Sequence, residues 1–537
     1  MSMKHTFLFA LISVLLTSCA IQVPPQGGER DVDPPKLIRV SPPSGSVDFS
    51  GHSFEFEFDE NIQVKDLSSK LVVSPPLSTT PTAKVRKNKL VLEFDDTLRP
   101  ASTYCFNFGD ALADLNEGNV LKDFRQVVST GSFIDSLTIS GSVSHAEDLK
   151  PEKSMLVMLY PELSGDSAPY NGLPLYFSRT RENGDFTITN IAAGSYRMFG
   201  LLESNQDYRY SDPAERIAFL EHTVASADSG IKLYSFNKLP PAALVKSSAA
   251  GPGKILFVFN RIFPSVNLRW KEQAEVLGIP FVWRSANEDS LIVWYTRVES
   301  DTAQFLIDFP DRTDTVDLTL RRLDPEKKSS TFLLDIQLAT ESPKGVSPID
   351  PLIFLSNYPI ASVDRGRLSL TLDSVEIASS EALAGDSDRL VFKLPVAWQE
   401  EKNYSLTLLP GAFTDIFGHA NTDTLEAKLP VRSVTDYGTL KIDFHSSSAG
   451  GKIIQLVDEK ERVYRSAFAT TDSIIGFAFI QPGTYRLKCI FDENGNGRWD
   501  AGDDLSHRLP EKVRYYRDMV PIRANWDVEV KWELPVK

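Results

Sequence analysis

Apolar and polar residues alternate along most of the chain, and the alternating segments are separated by short turns rich in Asn, Asp, Gly and Pro. The alternation is clearest at residues 54–58, which read Phe-Glu-Phe-Glu-Phe, and at residues 526–534 near the C-terminus. Residues 84–85 and 90–94 flank an Arg-Lys-Asn-Lys turn and predict a hairpin. A period of two with such turns is typical of antiparallel sheets that bury one face. We therefore predict an all-β fold made of antiparallel β-sandwiches.

A series of motifs between residues 36 and 133 defines a first module. They are a Ser-Pro opening at 41–42, an apolar strand with an acidic turn at 56–62, Leu-Arg-Pro-Ala-Ser-Thr-Tyr at 98–104, Asp-Leu-Asn-Glu-Gly-Asn at 114–119 and Ser-Thr-Gly-Ser-Phe at 129–133. In this order they resemble the bacterial Ig-like domain first described in surface-layer proteins. The Asp-to-Gly turn is one residue longer than in that domain, and the closing motif differs.

A second module covers residues 136–236. It contains Asn-Gly-Asp-Phe-Thr-Ile at 183–188 and Ile-Ala-Ala-Gly-Ser-Tyr-Arg at 191–197. This pattern resembles the transthyretin-like or carboxypeptidase-regulatory-like β-sandwich. The resemblance implies a noncatalytic module in which a glycine turns a hairpin and Tyr196 enters the core.

Both modules recur in the C-terminal half of the chain. Residues of the second module return 289 positions later and residues of the first return 298 or 300 positions later, as in the pairs Tyr196 and Tyr485, Asn205 and Asn494, Phe56 and Phe354, and Tyr104 and Tyr404. Between the copies, residues 255–262 echo the strand at 56–62; counted from the first shared phenylalanine, the stretch 257–262 is one residue shorter than 56–62. Internal repeats of this kind indicate a modular chain.

We therefore predict five sandwiches in an elongated multidomain chain. They are Ig-like at 36–133, transthyretin-like at 136–236, divergent Ig-like at 238–343, Ig-like at 344–436 and transthyretin-like at 437–537. A length of 537 residues agrees with this number, because one hydrophobic core serves about 100–150 residues. As a whole the chain resembles a Bacteroidetes-type Ig-like lipoprotein. Such sandwiches carry many unrelated roles, so the fold alone does not define the function.

The N-terminus carries a targeting signal. Lys4 precedes an apolar run at 7–16, which is too short to span a membrane, and Leu-Thr-Ser-Cys follows at 16–19. This resembles the bacterial lipobox, which implies cleavage after residues 1–18 and acylation of Cys19. Residues 19–35, rich in Pro and Gly, predict an extended tether. Since Ala20 is not an aspartate, the resemblance favours the periplasmic face of the outer membrane, with the cell surface as the alternative.

Charge and cysteine content limit the partners and the redox chemistry. The formal net charge of −15 disfavours nucleic acid and bare anionic lipid as partners. Beyond Cys19 only Cys105 and Cys489 remain, in widely separated segments, and this disfavours an intramolecular disulfide. The alternation around Cys489 predicts a buried thiol, whereas Cys105 is expected to be more exposed.

The sharpest local motif is an Asp/Asn/Gly loop at 492–503. Its oxygen-bearing side chains stand at positions 1, 3, 5, 9 and 12 around a glycine at position 6, and position 7 would contribute a carbonyl: Asp492, Asn494, Asn496, Asp500 and Asp503, with Arg498 as the carbonyl donor. This spacing resembles the EF-hand calcium loop and implies a Ca²⁺ site. The alternative is a hairpin loop held by Asx hydrogen bonds. Trp499 inside the loop is interpreted as a packing residue, with a carbohydrate platform as the alternative.

Catalytic signatures are absent from the sequence. It contains neither Gly-x-Ser-x-Gly nor His-Glu-x-x-His. We therefore predict a non-enzymatic envelope lipoprotein with a structural or protein-binding role, held on the membrane by its lipid. The alternatives are a carbohydrate-binding accessory lipoprotein, which would use clustered exposed aromatic residues, and a hydrolase with a nonlocal active site. An envelope protein or a glycan is the expected partner.

Overall fold

The computed structural model describes residues 31–122, 124–205, 207–251, 253–262, 267–270, 281–284, 289–295, 302–320, 333–339, 345–377 and 383–534. The predicted signal peptide at 1–18, Cys19 and the tether up to residue 30 lie outside the described residues. The described residues form almost exclusively β-strands, which confirms the all-β prediction. None of their helices has the length and apolar content that a membrane span requires.

The chain divides into two compact units, and neither is a single continuous segment. The first contains residues up to Val143 together with Pro151–Ser211 and Ala218–Leu233. The second contains Ser144–Lys150, Asp212–Ile217 and the residues from Tyr234 onward.

The first predicted module lies in the first unit and has three sheets, with strand orders β1-β2-β6-β5, β3-β8 and β4-β7-β9. The predicted hairpin is confirmed, because β5 and β6 pair with Val85 opposite Leu90. Alternation places phenylalanines of β2 in the core, where Phe54 meets Phe106 at 4.9 Å between ring centroids. The elements are β1 Leu37–Ser41, β2 Ser53–Phe58, β3 Ile62–Val64, α1 Leu67–Lys70, β4 Val72–Ser74, β5 Thr82–Arg86, β6 Lys89–Glu93, β7 Thr103–Asn107, β8 Leu112–Asp114 and β9 Arg125–Ser129.

The second predicted module begins at β10 (Leu137–His145). In the first unit β11 pairs with β12 and β14, and β10 pairs with β13. Asn183 and Gly184 turn the chain into β13, and Gly184 takes a positive φ of 81° that suits a residue without Cβ. The remaining elements are β11 Leu156–Pro161, α2 Ala168–Asn171, β12 Tyr176–Arg179, β13 Asp185–Ile191, β14 Ser195–Leu202, β15 Arg216–Phe219, β16 Val224–Ala225 and β17 Ile231–Asn237.

The region of the predicted divergent Ig-like module lies in the second unit and has two sheets, with orders β18-β19-β22-β21 and β20-β23-β24. Alternate residues of β19 and β23 form one hydrophobic cluster, in which Phe257 and Phe305 lie 5.2 Å apart. The strands are β18 Leu244–Gly251, β19 Lys254–Phe259, β20 Asn267–Trp270, β21 Phe281–Arg284, β22 Ser290–Trp294, β23 Thr302–Asp308 and β24 Thr313–Thr319.

The fourth region packs β25-β26-β31-β30 against β29-β28-β32-β34, and β27 pairs with β33. Ile336–Leu338 forms β25 and pairs with β26, although the sequence pattern assigns residues 336–338 to the preceding module. The strands are β25 Ile336–Leu338, β26 Leu352–Ser356, β27 Ile360–Val363, β28 Leu368–Leu372, β29 Val375–Glu376, β30 Ala384–Gly385, β31 Val391–Leu394, β32 Asn403–Leu408, β33 Phe413–Asp415 and β34 Leu425–Pro430, with 3₁₀ turns at Arg365–Arg367 and Val434–Asp436.

The C-terminal region contains the sheets β38-β35-β42 and β37-β36-β39-β40, and β41 also pairs with β39. One pair departs from the antiparallel prediction, because β35 and β42 run parallel with Leu440 beside Val528. Parallel neighbours need a long crossover connection, and here most of the module lies between them. The strands are β35 Gly438–His445, β36 Gly451–Val457, β37 Val463–Ala469, β38 Ser473–Ile480, β39 Gly483–Asp492, β40 Val513–Tyr515, β41 Val520–Ile522 and β42 Asp527–Glu533.

Candidate functional site

The Asp/Asn/Gly loop lies between β39 and β40, and the side chain of its first residue, Asp492, accepts hydrogen bonds from the loop backbone. The carboxylate of Asp492 is buried, and it accepts hydrogen bonds from the backbone N–H groups of Gly495 (2.7 Å), Asn496 (3.0 Å) and Gly497 (2.9 Å). Both glycines have a positive φ, 73° and 78°, which the tight turn requires. Asp492 therefore supplies the acceptors that order the first half of the loop.

The second half of the loop is held by two further carboxylates. Asn494 and Asn496 each donate a side-chain N–H to Oδ2 of Asp500, at 2.5 and 2.6 Å. Glu511 accepts the backbone N–H groups of Glu493 (2.8 Å) and Asp500 (3.0 Å). Burial raises the pKa of Glu511 above its usual value against the opposing effect of these two hydrogen bonds. Glu511 was not predicted from the sequence, because it lies outside the 492–503 motif.

Asp503, the twelfth position of the motif, belongs to a separate turn. It forms a β-bridge with Arg508, and its carboxylate accepts the hydroxyl of Ser506 at 2.8 Å. The ammonium of Lys238 lies 3.6 Å from Asp503 and 2.7 Å from Asp504. Burial would raise the pKa of Asp503, but Ser506 and Lys238 outweigh it and hold the pKa below the usual value.

These contacts bear on the calcium hypothesis. The oxygens of Asp492 and Asp500 already accept N–H groups of the loop, so calcium would have to replace those hydrogen bonds. Within the described ranges no group of three or more His, Cys, Asp and Glu side chains is placed to hold a metal. The loop as folded is a hairpin loop with Asx hydrogen bonds, and calcium binding stays a prediction.

Calorimetric titration of the full chain tests the calcium prediction. A calcium site would give one bound Ca²⁺ per chain with a dissociation constant of about 10⁻⁴–10⁻³ M, as in extracellular calcium modules, and an increase in melting temperature, whereas the hairpin loop with Asx hydrogen bonds would give neither. Asp500→Asn should abolish both effects, whereas Asp518→Asn, an exposed position of the same module, should change neither. No heat and no change in melting temperature at millimolar calcium would refute the prediction.

Trp499 packs beside the loop. It lies against Ile453, Ile490 and Val513, and its indole N–H donates to the carbonyl oxygen of Glu511 at 2.9 Å. Both the ring and its donor group have partners within the module. The packing interpretation of Trp499 therefore agrees with the structure better than the carbohydrate platform does.

Segments of the second module contact this region within the second unit. Leu149 packs against the same patch as Trp499. At Gly502 an added Cβ would come within 2.7 Å of the ring of Phe236, so only glycine fits there. Modules arranged strictly in series would contact only the modules next to them in the sequence. Such an arrangement does not predict contacts between the second and the C-terminal module.

A cavity of about 350 Å³ adjoins the loop and is lined by residues 446–451, Asp492, Glu493, Lys512 and Arg514, among others. Lys452 next to it is fully buried, and its ammonium donates to the carbonyl oxygens of Ser448, Gly450 (2.9 Å) and Thr470 (3.4 Å). Three carbonyl acceptors satisfy the three donors of an ammonium group. The ammonium group of Lys452 therefore stabilises the cavity wall through these hydrogen bonds.

His445 directly precedes the serines that line this cavity. Its Nε2 lies 3.0 Å from Asp443 and its Nδ1 lies 3.2 Å from Asp472. Hydrogen bonds to Asp472 and Asp443 raise the pKa of His445 above its usual value. An imidazole with both nitrogens bound to carboxylates cannot take a proton from Ser446, so these residues do not form a nucleophile and general base.

Both described cysteines are buried free thiols. Burial of Cys489 agrees with the prediction and raises its pKa to about 12. The expectation that Cys105 is more exposed is wrong, since Cys105 is only 5% exposed. Its side of β7 faces the second module, where Thr189 lies beside the thiol and lowers its pKa by less than burial raises it. Burial raises the pKa of Cys105 as well, so neither thiol is activated.

Comparison with known proteins supports the assignment of the first module. Residues 31–130 match the family model of a bacterial Ig-like domain. No curated protein sequence matches the chain.

Similar solved structures include the major pilin subunit of Bacillus cereus, with 9% identity over 74% of this chain and 99% of the pilin at a TM-score of 0.14. They also include domains 1–6 of the surface-layer protein SbsC, with 11% identity over 91% and 67% of the two chains at a TM-score of 0.15. Likenesses at such TM-scores say nothing about function. The chain is thus an all-β multidomain protein whose first module matches a bacterial Ig-like domain.

Proposed function

We propose that this protein is a non-enzymatic cell-envelope lipoprotein, anchored through acylated Cys19, whose β-sandwich modules have a structural or binding role. The signal at residues 1–19 supports the anchor, and the match of residues 31–130 to a bacterial Ig-like domain supports the role. Acyl chains hold a protein at a membrane durably when two or three are present.

The junction between the first two modules is the observation that carries the proposal. The buried N–H of Phe177 donates to the hydroxyl of Ser74 at 3.1 Å across it. Asp135, in the short linker, accepts the hydroxyl of Thr103 at 2.9 Å, and its carbonyl oxygen accepts the side-chain N–H of Asn190 at 2.9 Å. Hydrogen bonds on both sides of the linker fix the two modules against each other. A fixed pair of modules can present one shaped surface to a partner.

The titratable groups support a non-enzymatic role. In the described residues the candidate base His445 is held by two carboxylates, and burial raises the pKa of the thiols of Cys105 and Cys489. Groups in these states serve neither as general bases nor as nucleophiles.

Cys19→Ser tests the proposed anchor. We expect the variant to lose labelling by a fatty-acid analogue and to appear in the soluble envelope fraction, with unchanged thermal unfolding of the modules. Ser18→Ala keeps a small residue before the cysteine, so this control should be acylated and retained like the parent. A Cys19→Ser protein that still fractionates with membranes would refute the anchor.

A complementation experiment distinguishes a structural or binding role at the membrane from a secreted catalytic activity. In cells that lack this protein, the parent should restore detergent resistance of the envelope and Cys19→Ser should not, because a structural component must stay at the membrane. Equal restoration by the unanchored variant would point to a diffusible activity and contradict the proposal.

A further inference from the structure

A polar cavity of about 660 Å³ lies between the first two modules, inside the first compact unit. The first module contributes residues around α1, β7 and the start of β9, and the second contributes the end of β12 and the turn into β13. A volume of this size is typical of small-ligand sites and holds a few sugar units.

The charge of this cavity is opposite to that of the chain. Its described lining has five cationic side chains and two acidic ones, although the whole chain has a formal net charge of −15. The cationic residues come from both modules, namely Lys70, Lys122, Arg125, Arg179 and Arg181. Local excess of one charge in a concave site attracts ligands of the opposite charge.

Two of the arginines are held in place by groups behind the cavity wall. Arg179 donates to the buried carboxylate of Glu203 at 3.0 Å and to the carbonyl oxygen of Ser154 at 3.2 Å. Arg125 of β9 donates to the hydroxyl of Thr189 of β13 at 3.3 Å, across the module junction. These contacts use only part of the five N–H donors of each guanidinium. Guanidinium groups positioned in this way are suited to carboxylate and sulfate.

The uncharged residues of the lining indicate which class of anionic ligand fits this cavity. It consists mainly of hydroxyl and amide side chains, including those of Ser69, Asn107, Ser178, Asn183 and Thr187. Val72 is its one large apolar side chain among the described residues, and no aromatic ring lines it. Peptide partners usually anchor themselves through apolar and aromatic side chains, whereas sugar hydroxyls need hydrogen-bond donors and acceptors at many points.

We propose that this cavity binds a short acidic oligosaccharide, whose carboxylate or sulfate groups pair with Arg125, Lys122 and Arg179 and whose hydroxyls bond to the neutral polar lining. The inference rests on the proposed binding role of the envelope protein and names its ligand class. A long polyanion is disfavoured, because the chain as a whole has a formal net charge of −15.

Calorimetry on the detergent-solubilised full chain tests this inference with four probes of equal length: tetragalacturonate, a sulfated heparin-derived tetrasaccharide, neutral maltotetraose and tetraglutamate. We expect an acidic sugar to bind with an affinity that falls as salt concentration rises, and the two acidic sugars distinguish a carboxylate from a sulfate ligand. No binding of either, equal binding of maltotetraose, or tighter binding of tetraglutamate would overturn the proposal.

Two sets of variants locate the site. Lys122→Gln with Arg125→Gln should lower the affinity about tenfold or more, since each removes a charge-assisted contact. The matched control, Lys84→Gln with Lys89→Gln, makes the same change in charge on β5 and β6, outside the cavity. An equal loss in that control would show a general effect of charge and refute the site.

Asp110→Asn provides a test that does not depend on loss of binding. Asp110 is 62% exposed and lies 3.4 Å from Lys70, so its neutralisation removes a competing anion from the cavity edge without opening the core. The affinity should increase about two- to threefold; an unchanged or lower affinity contradicts the proposal. Failure of these titrations would leave the expected release of Cys19→Ser from the membrane and its failure to complement unaffected, so the two proposals fail separately.

Discussion

Phe54→Ala is expected to destabilise the first module by about 4 kcal/mol. The ring of Phe54 is fully buried in an aromatic cluster, where it meets Phe106 at 4.9 Å, Phe49 at 5.3 Å and Phe94 at 5.7 Å between centroids. Phe106 belongs to β7 in another sheet, and Phe49 and Phe94 lie outside the strands; none of them can collapse into the space without losing its own contacts. The variant should therefore bear the cost of the lost burial and of a remaining cavity.

The labelling rates of the two buried thiols measure the stability of the first module and of the C-terminal module separately. Opening of the first module exposes Cys105 to a thiol reagent, so Phe54→Ala should speed its labelling by about a thousandfold while labelling of Cys489 stays unchanged. Phe133→Ala serves as control, because Phe133 is 64% exposed and its removal leaves no cavity. Labelling of Cys105 at the parent rate would show that the aromatic cluster does not hold the module closed.

Asp114→Ala is expected to cost about 3 kcal/mol in the same module, because three partly buried N–H groups lose their acceptor. Asp114 is fully buried, and its carboxylate accepts the N–H groups of Glu117 (2.6 Å), Gly118 (3.0 Å) and Asn119 (2.6 Å). The same thiol labelling measures the effect at Cys105. Asp110→Ala is the control, since its side chain is 62% exposed. Equal effects of the two changes would contradict the assigned role of Asp114.

Acid should affect the parent through the same carboxylate. Burial opposes ionisation of Asp114, but hydrogen bonds from Gly118, Glu117 and Asn119 outweigh it and hold the pKa below the usual 3.8. A carboxyl with a lowered folded pKa contributes its stability above the unfolded pKa and loses it as the pH falls through the folded value. We therefore expect the free energy of unfolding to fall less below about pH 4 in Asp114→Ala than in the parent, as measured by urea unfolding with pulsed hydrogen exchange. Parallel acid profiles would count against this linkage.

The internal repeat extends to specific hydrogen bonds as well as strands. In the second and fifth predicted modules the tyrosine hydroxyl donates to a carbonyl oxygen four residues earlier, from Tyr196 to Ala192 (2.8 Å) and from Tyr485 to Gln481 (2.9 Å). In the first and fourth predicted modules a tyrosine hydroxyl accepts a backbone N–H from five residues earlier, from Arg99 to Tyr104 (2.9 Å) and from Gln399 to Tyr404 (2.8 Å). Such contacts recur in both copies because both partners lie within one short segment.

Other features had no signal in the pattern of apolar residues. Lys452 occupies a fully buried position because its ammonium finds three carbonyl acceptors in surrounding segments. Cys105 is buried because a second module covers the outer side of β7. Glu511 orders the 492–503 loop from a position outside the motif. Each depends on a partner that is distant in the sequence.

By itself the sequence determined the all-β fold and much of the strand and turn positions, since a period of two and turn chemistry act between residues close along the chain. It also predicted the repeat of modules and the targeting signal. Only the tertiary structure decided the parallel pairing of β35 with β42, the contacts of Phe236 and Lys238 with residues 502–504, and the basic cavity at the first module junction. Those features arise where packing brings distant side chains together, and alternation along a strand shows which face is buried but not what covers it.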